Sequence, residues 1–157
     1  MRWSSSWCAR RESRMSNELS ITRVLSATPE EAYDAWLDPR SLMEWMVPIP
    51  GGRTEAQTDP RVGGGFLIVM YGNGTTYPTR GEYLRLERPR LLEFSWYPDG
   101  KDTHKSIVTV ELAALGAERT TLTLRHRLLP DADSVRGHQE GWGRGLDSLV
   151  SWFSRKH

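Results

Sequence analysis

The chain alternates between two hydrophobic periods. "ELSITRVLSA" (18–27) is rich in β-branched residues and reads as a strand. "TPEEAYDAWLD" follows, with Thr28 as N-cap, Pro29 in the first helical turn and Glu30 and Glu31 complementing the helix dipole. "PRSLMEWM" (39–46) restarts a second short helix that turns Leu42, Trp45 and Met46 inward. From there to about residue 128 the pattern is strands and turns: 63–72, an Asn-Gly hairpin turn at 73–74, 76–87, 90–97, 104–115 and 119–129. "PDADSV" opens a terminal helix of about 23 residues, roughly 35 Å long.

The order is thus strand, two short helices, six or so meandering strands and one long helix. An antiparallel sheet has one face to bury, and only the last helix is long enough to cover it. This predicts an α+β fold. Residues 18–157 form its single domain, and residues 1–17 an N-terminal extension outside it.

Period-two reading assigns the faces. Leu122, Leu124, His126 and Leu128 share one side of their strand, so His126 points inward. Leu92, Phe94 and Trp96 share another, opposed by Glu93 and Ser95. Val108, Val110 and Leu112 align with Ser106 and His104. In 76–87, Tyr83 lies opposite Leu84 and Leu86 in parity; the facing stays open, and a bulge is one resolution. On the terminal helix Val135, His138, Trp142, Leu146, Leu149 and Phe153 form one stripe at 100° per residue. Gly145 borders that stripe, with Gly141 and Gly143 nearby. Three interior glycines cost about 2–3 kcal/mol relative to alanine. Close approach of the sheet, room for a ligand beside Trp142, or a kinked helix would each account for them.

Composition narrows the function classes. Hydrophobic residues make up 38% of 157 and charged residues 26%, an ordinary globular balance, and seven tryptophans promise an aromatic core. Residues 1–14 hold four arginines against one glutamate, so the chain's net +1 leaves −2 on the body. No basic excess remains there to recruit nucleic acid. No run approaches the ~20 apolar residues of a membrane span. The single cysteine, Cys8, precludes an internal disulfide and suits a reducing cytoplasm. "MRWSSSWCARRESR" lacks the apolar stretch of a secretory signal; Met15 is the expected start of the functional chain.

Candidate chemistry is sparse. His104, His126, His138 and His157 contain no metal-ligand spacing, so no metal and no cofactor is expected. Gly141, Gly143 and Gly145 are not a dinucleotide fingerprint, because Leu146 stands where its last glycine belongs. His126 could orient a ligand or act as a base, or be a hydrogen-bonded core histidine. Met43, Met46 and Met70 read as core filler that also suits an adaptable pocket. Arg23 reads as a structural ion-pair partner.

"ITRVLSATPEEAYDAWLDPRSLMEWM", "RVGGGFLIVM", "RGEYLRLERPRLLEFSW" and "HQEGWGRGLDSL" together resemble the START-like (SRPBCC) superfamily. The nearest part is the domain family named after the activator of the heat-shock chaperone ATPase. The resemblance spans about residues 18–153, and its most specific element is Gly141-Trp142 followed by Leu146-Asp147-Ser148-Leu149. It implies a helix-grip fold, a curved sheet around the C-terminal helix with a hydrophobic cavity between. Trp45 would then sit beside the cavity mouth, Phe94 and Trp96 on the sheet wall, and Trp142 and Leu146 on the helix wall. The ligand set expected from residues and resemblance together is these five with Met70, Tyr83, His126 and Gly145. The leading expectation is a carrier or sensor of a small apolar molecule, as a monomer or weak homodimer. A cyclase- or hydrolase-like enzyme and a chaperone-cofactor module are the alternatives; an enzyme would need an inward acid–base pair, and only His126 stands out as an inward ionisable group.

Overall fold

The computed structural model describes residues 17–156. The expectations placed on residues 1–14 and on His157 therefore lie outside the described residues. Elements run β1 (Leu19–Leu25), α1 (Pro29–Asp34), α2 (Pro39–Trp45), β2 (Arg53–Thr58), β3 (Gly65–Gly72), β4 (Thr75–Glu87), β5 (Leu91–Pro98), β6 (Ser106–Gly116), β7 (Arg119–Arg127) and α3 (Ala132–Lys156). All seven strands join one curled antiparallel sheet in the order β1-β7-β6-β5-β4-β3-β2, with α3 across it. This is the helix-grip architecture.

Local chemistry explains the helix starts. Thr28 caps α1 and Glu31 reaches back to the Thr28 backbone N–H, a complete capping box. Asp38 caps α2 through the Ser41 N–H. Asn73 (φ 53°) and Gly74 (φ 72°) form the two-residue turn between β3 and β4, the hairpin that Asn-Gly predicts. No helix among the described residues is long and apolar enough to cross a membrane.

Three findings refine the sequence reading. β2 carries no apolar alternation; it is an edge strand anchored by threonines, with Thr54 donating to the Met46 carbonyl at 2.5 Å and Thr58 to that of Leu37 at 2.8 Å. The open parity of β4 resolves into a register shift between Tyr83 and Arg85, which turns Tyr83 inward beside Phe94. Leu128, expected inward, is instead exposed. β7 ends one residue earlier, Leu128 adopts a left-handed φ of 63°, and Leu129 takes the buried place while its N–H bonds the Asn17 carbonyl.

The core lies between the concave sheet face, α1–α2 and the C-terminal half of α3. Leu92, Leu122, Leu124, Val108 and Val110 from the sheet meet Leu146 and Leu149 from the helix, all fully buried. Trp152 joins them although it falls outside the apolar stripe read from sequence; its indole N–H reaches Glu44 at 2.8 Å. Arg23 bonds Asp147 at 2.9 Å, tying β1 to α3 as an ion pair. Both side chains are substantially exposed, so the pair contributes little beyond registration.

Candidate functional site

The N-terminal half of α3 stands off the sheet. Between it, the β3–β4 hairpin and the ends of β5 and β6 lies an open cleft of about 870 Å³. That is within the range of small-molecule sites. Its helix wall is formed by Gly137, Gly141 and Gly145, spaced four residues apart, with His138 and Trp142 between them. A Cβ built on any of the three glycines meets nothing within 4 Å. The helix is continuous through them. Close sheet approach and kinking are thereby set aside: the glycines border open space. The facing wall is mixed, with Met70, Tyr77 and Ile49 giving apolar surface and Thr79 and Thr103 giving polar edges.

Beneath the cleft an aromatic layer fills the concave face. Trp142 lies 4.9 Å from Trp96 and 5.9 Å from Trp36 between ring centroids. Phe94 lies 5.4 Å from Phe66, edge to face. Among these rings lies a small void of about 10 Å³, bordered by Trp36, Tyr83, Phe94 and Trp96 among others. The main volume is thus a cleft at one end of the helix, not a chamber enclosed along its length.

His126 is completely buried. Its Nδ1 lies 3.0 Å from the Trp142 Nε1 and its Nε2 2.7 Å from the Ser106 Oγ, which lies 2.8 Å from the Trp96 carbonyl. An indole N–H can only donate and a carbonyl can only accept. Nδ1 therefore accepts, Nε2 carries the proton, and the Ser106 hydroxyl passes the chain on to Trp96. Burial, and secondarily the nearby His138, pushes the His126 pKa down to about 3. The neutral ring is locked: both nitrogens are committed, and a second proton would point at the indole donor. His126 holds the cleft's tryptophan in place from behind.

His138 is arranged differently. Its Nδ1 lies 2.8 Å from the Ser134 carbonyl, so Nδ1 carries the proton in the neutral ring. The ring is half-buried and lines the cleft. His104, also on the wall, donates from Nε2 to the Leu128 carbonyl at 2.6 Å. Among the described residues no group of three or more His, Cys, Asp or Glu side chains could hold a metal ion.

A family model described as "Activator of Hsp90 ATPase homolog 1-like protein" matches residues 26–154. The chain belongs to this family. Among solved structures it is similar to protein CV1439 from Chromobacterium violaceum, at 29% identity and a TM-score of 0.79 over 87% of this chain and 96% of that one. Protein Ms6760 from Mycobacterium smegmatis superposes with a TM-score of 0.77 at 20% identity, covering 92% and 95%. An HSP90 activator from Plasmodium falciparum gives 0.65 at 24% identity, covering 80% and 86%. A search of curated protein sequences returns no match.

On this activator-homologue scaffold the sequence-derived site residues separate into three groups. Met70, Trp96, Trp142 and Gly145 line the cleft. Tyr83 and Phe94 border the small inner void, and burial, helped by the charge of Asp59, raises the Tyr83 pKa so that its hydroxyl stays protonated. His126, Leu146 and Trp45 do not line the cleft. Trp45, which the resemblance puts beside the cavity mouth, is fully buried and donates to the Ala35 carbonyl at 2.9 Å. Leu146 packs into the core. The cleft residues that sequence reasoning missed include Gly137, Tyr77, Ile49 and Thr79. Gly137 was findable, four residues before Gly141; the hairpin contributions depend on how far the sheet curls, which no local pattern encodes.

Proposed function

We propose that this chain binds a small, predominantly apolar molecule in the cleft at the N-terminal half of α3, as a carrier or sensor. The observation that carries the reading is the glycine row. Gly137, Gly141 and Gly145 forgo several kcal/mol of helix propensity together, and no sheet contact offsets that cost. They leave an 870 Å³ space with Trp96 and Trp142 at its base. Apolar burial against those rings supplies affinity. The charged residues on the cleft wall are of both signs, Asp99 and Glu140 with Arg144, and Asp99 is already paired with Arg80 at 2.7 Å. The balance favours a ligand held by burial rather than by charge.

The family's description, and the HSP90-activator title of the Plasmodium falciparum neighbour, favour a second reading as a chaperone-facing module. One experiment tests the small-ligand reading. A fluorescent apolar probe titrated at low and high ionic strength should bind with nearly unchanged affinity. Steep loss with salt points to an anionic ligand or a surface site, and absence of binding removes the small-ligand reading.

A further inference from the structure

Trp36 has the one buried side-chain polar atom without a hydrogen-bond partner among the described residues: its indole Nε1. The side chain is 3% exposed. A buried donor left unmade is costly and uncommon in native proteins. Three other core indoles have acceptors: Trp45 the Ala35 carbonyl, Trp142 the His126 ring and Trp152 the Glu44 carboxylate, while Trp96 lines the cleft.

Trp36 borders the inner void of about 10 Å³, whose remaining wall includes Leu42, Ile68 and Phe66. That volume is at the lower limit for one water, and a held water needs two to four polar partners. The lining side chains are apolar apart from Tyr83 and the indoles themselves. Water is therefore a poor partner for this donor. Met46 and Trp96 line both the void and the cleft, so these two side chains partition them. Met46 follows the end of α2, and an unbranched thioether changes rotamer readily.

From this we infer that the void is the inner end of the ligand site, and that Trp36 Nε1 receives a hydrogen-bond acceptor at the leading end of the ligand. The inference rests on the cleft-binding reading and adds a ligand class: molecules with an apolar body and a terminal carbonyl-type oxygen. The body lies on Trp96 and Trp142, Met46 moves aside, and the oxygen takes up the indole N–H.

The test uses an isosteric probe pair, acetyl-naphthalene and isopropenyl-naphthalene, which differ only in C=O against C=CH2. Calorimetry on the full chain and on Trp36→Phe should show the ketone losing about tenfold in affinity in the variant, the worth of one hydrogen bond. The alkene should change by less than about twofold on the same argument. Equal loss for both probes, or no loss for the ketone, overturns the inference. If neither probe binds the full chain, the cleft reading itself falls and this one with it. Indole 15N–1H spectra of the full chain give a second readout without substitution. The Trp36 resonance should move downfield with the ketone and stay with the alkene; an identical response to both also overturns the inference.

Discussion

The two halves of α3 share one continuous helix and do opposite things. From Leu146 to Phe153 the inner face is Leu146, Leu149, Trp152 and Phe153, all buried, and the helix rests on β1 and α2. From Ser134 to Gly145 the side toward the cleft carries Gly137, Gly141 and Gly145 with His138 and Trp142 between them, and the helix faces open space there. Trp142 belongs to both, buried against Trp36 and Trp96 yet exposed along one edge to the cleft. A helical period alone does not make a core. What occupies the inward positions decides whether the helix closes onto the sheet or stands away from it.

The most disruptive change removes the residue common to both halves. Trp142→Ala should cost about 3–5 kcal/mol, the range for truncating a buried aromatic, and it leaves the His126 Nδ1 without its donor. Denaturant unfolding measures this directly, and a loss below about 1 kcal/mol would show that Trp142 does not join the two halves. Leu149→Ala acts on the packed half alone. It should cost about 2–5 kcal/mol while probe affinity at the cleft stays within a factor of two of the original, about 0.4 kcal/mol. A parallel loss of binding would mean the halves are coupled.

The fold was largely legible because its signals are local. Thr28, Pro29 and Glu31 announce α1, Asn73-Gly74 announces a hairpin, and Val108, Val110 and Leu112 show their face by alternation. β2 escaped because its inward positions include Thr54 and Ala56 rather than large apolar residues. Leu128 misled because a single left-handed residue reverses the parity of everything after it. The candidate cleft was legible in some of its lining residues and not in its extent. Gly145, Trp142, Trp96 and Met70 line the cleft, but whether Phe94, Tyr83 and His126 enclose a chamber or fill it depends on summed side-chain volumes across five strands. Here they fill it, and His126 becomes a brace.

That brace has a pH signature. The folded-state pKa of His126 is about 3, below the unfolded value of 6.5. Between those values the unfolded chain binds the extra proton. The stability contributed by the neutral ring is therefore complete above pH 6.5 and is lost as pH falls toward 3, with a slope of at most about 1.4 kcal/mol per pH unit. Unfolding free energies of the full chain and of His126→Gln, compared between about pH 5 and 7 to stay above most carboxylate titration, isolate the effect. Equal slopes in both proteins would contradict the buried neutral ring.

A smaller effect separates helix propensity from the cleft. Gly143 also borders open space yet does not line the cleft. Gly143→Ala should therefore add up to about 1 kcal/mol of stability with no change in probe binding. Any substantial change in affinity would show that helix propensity and ligand binding are linked.

The central claim, that glycines hold the cleft open for a ligand, is tested most directly by the probe affinity of Gly145→Leu. Nothing lies within 4 Å of a Cβ at this position, so the leucine side chain has the cleft to occupy. Helix propensity favours leucine over glycine by roughly 0.8–1 kcal/mol, so stability should hold or rise while the probe loses most of its affinity. Strong destabilisation with probe affinity intact would contradict the account and return the glycines to a role in packing.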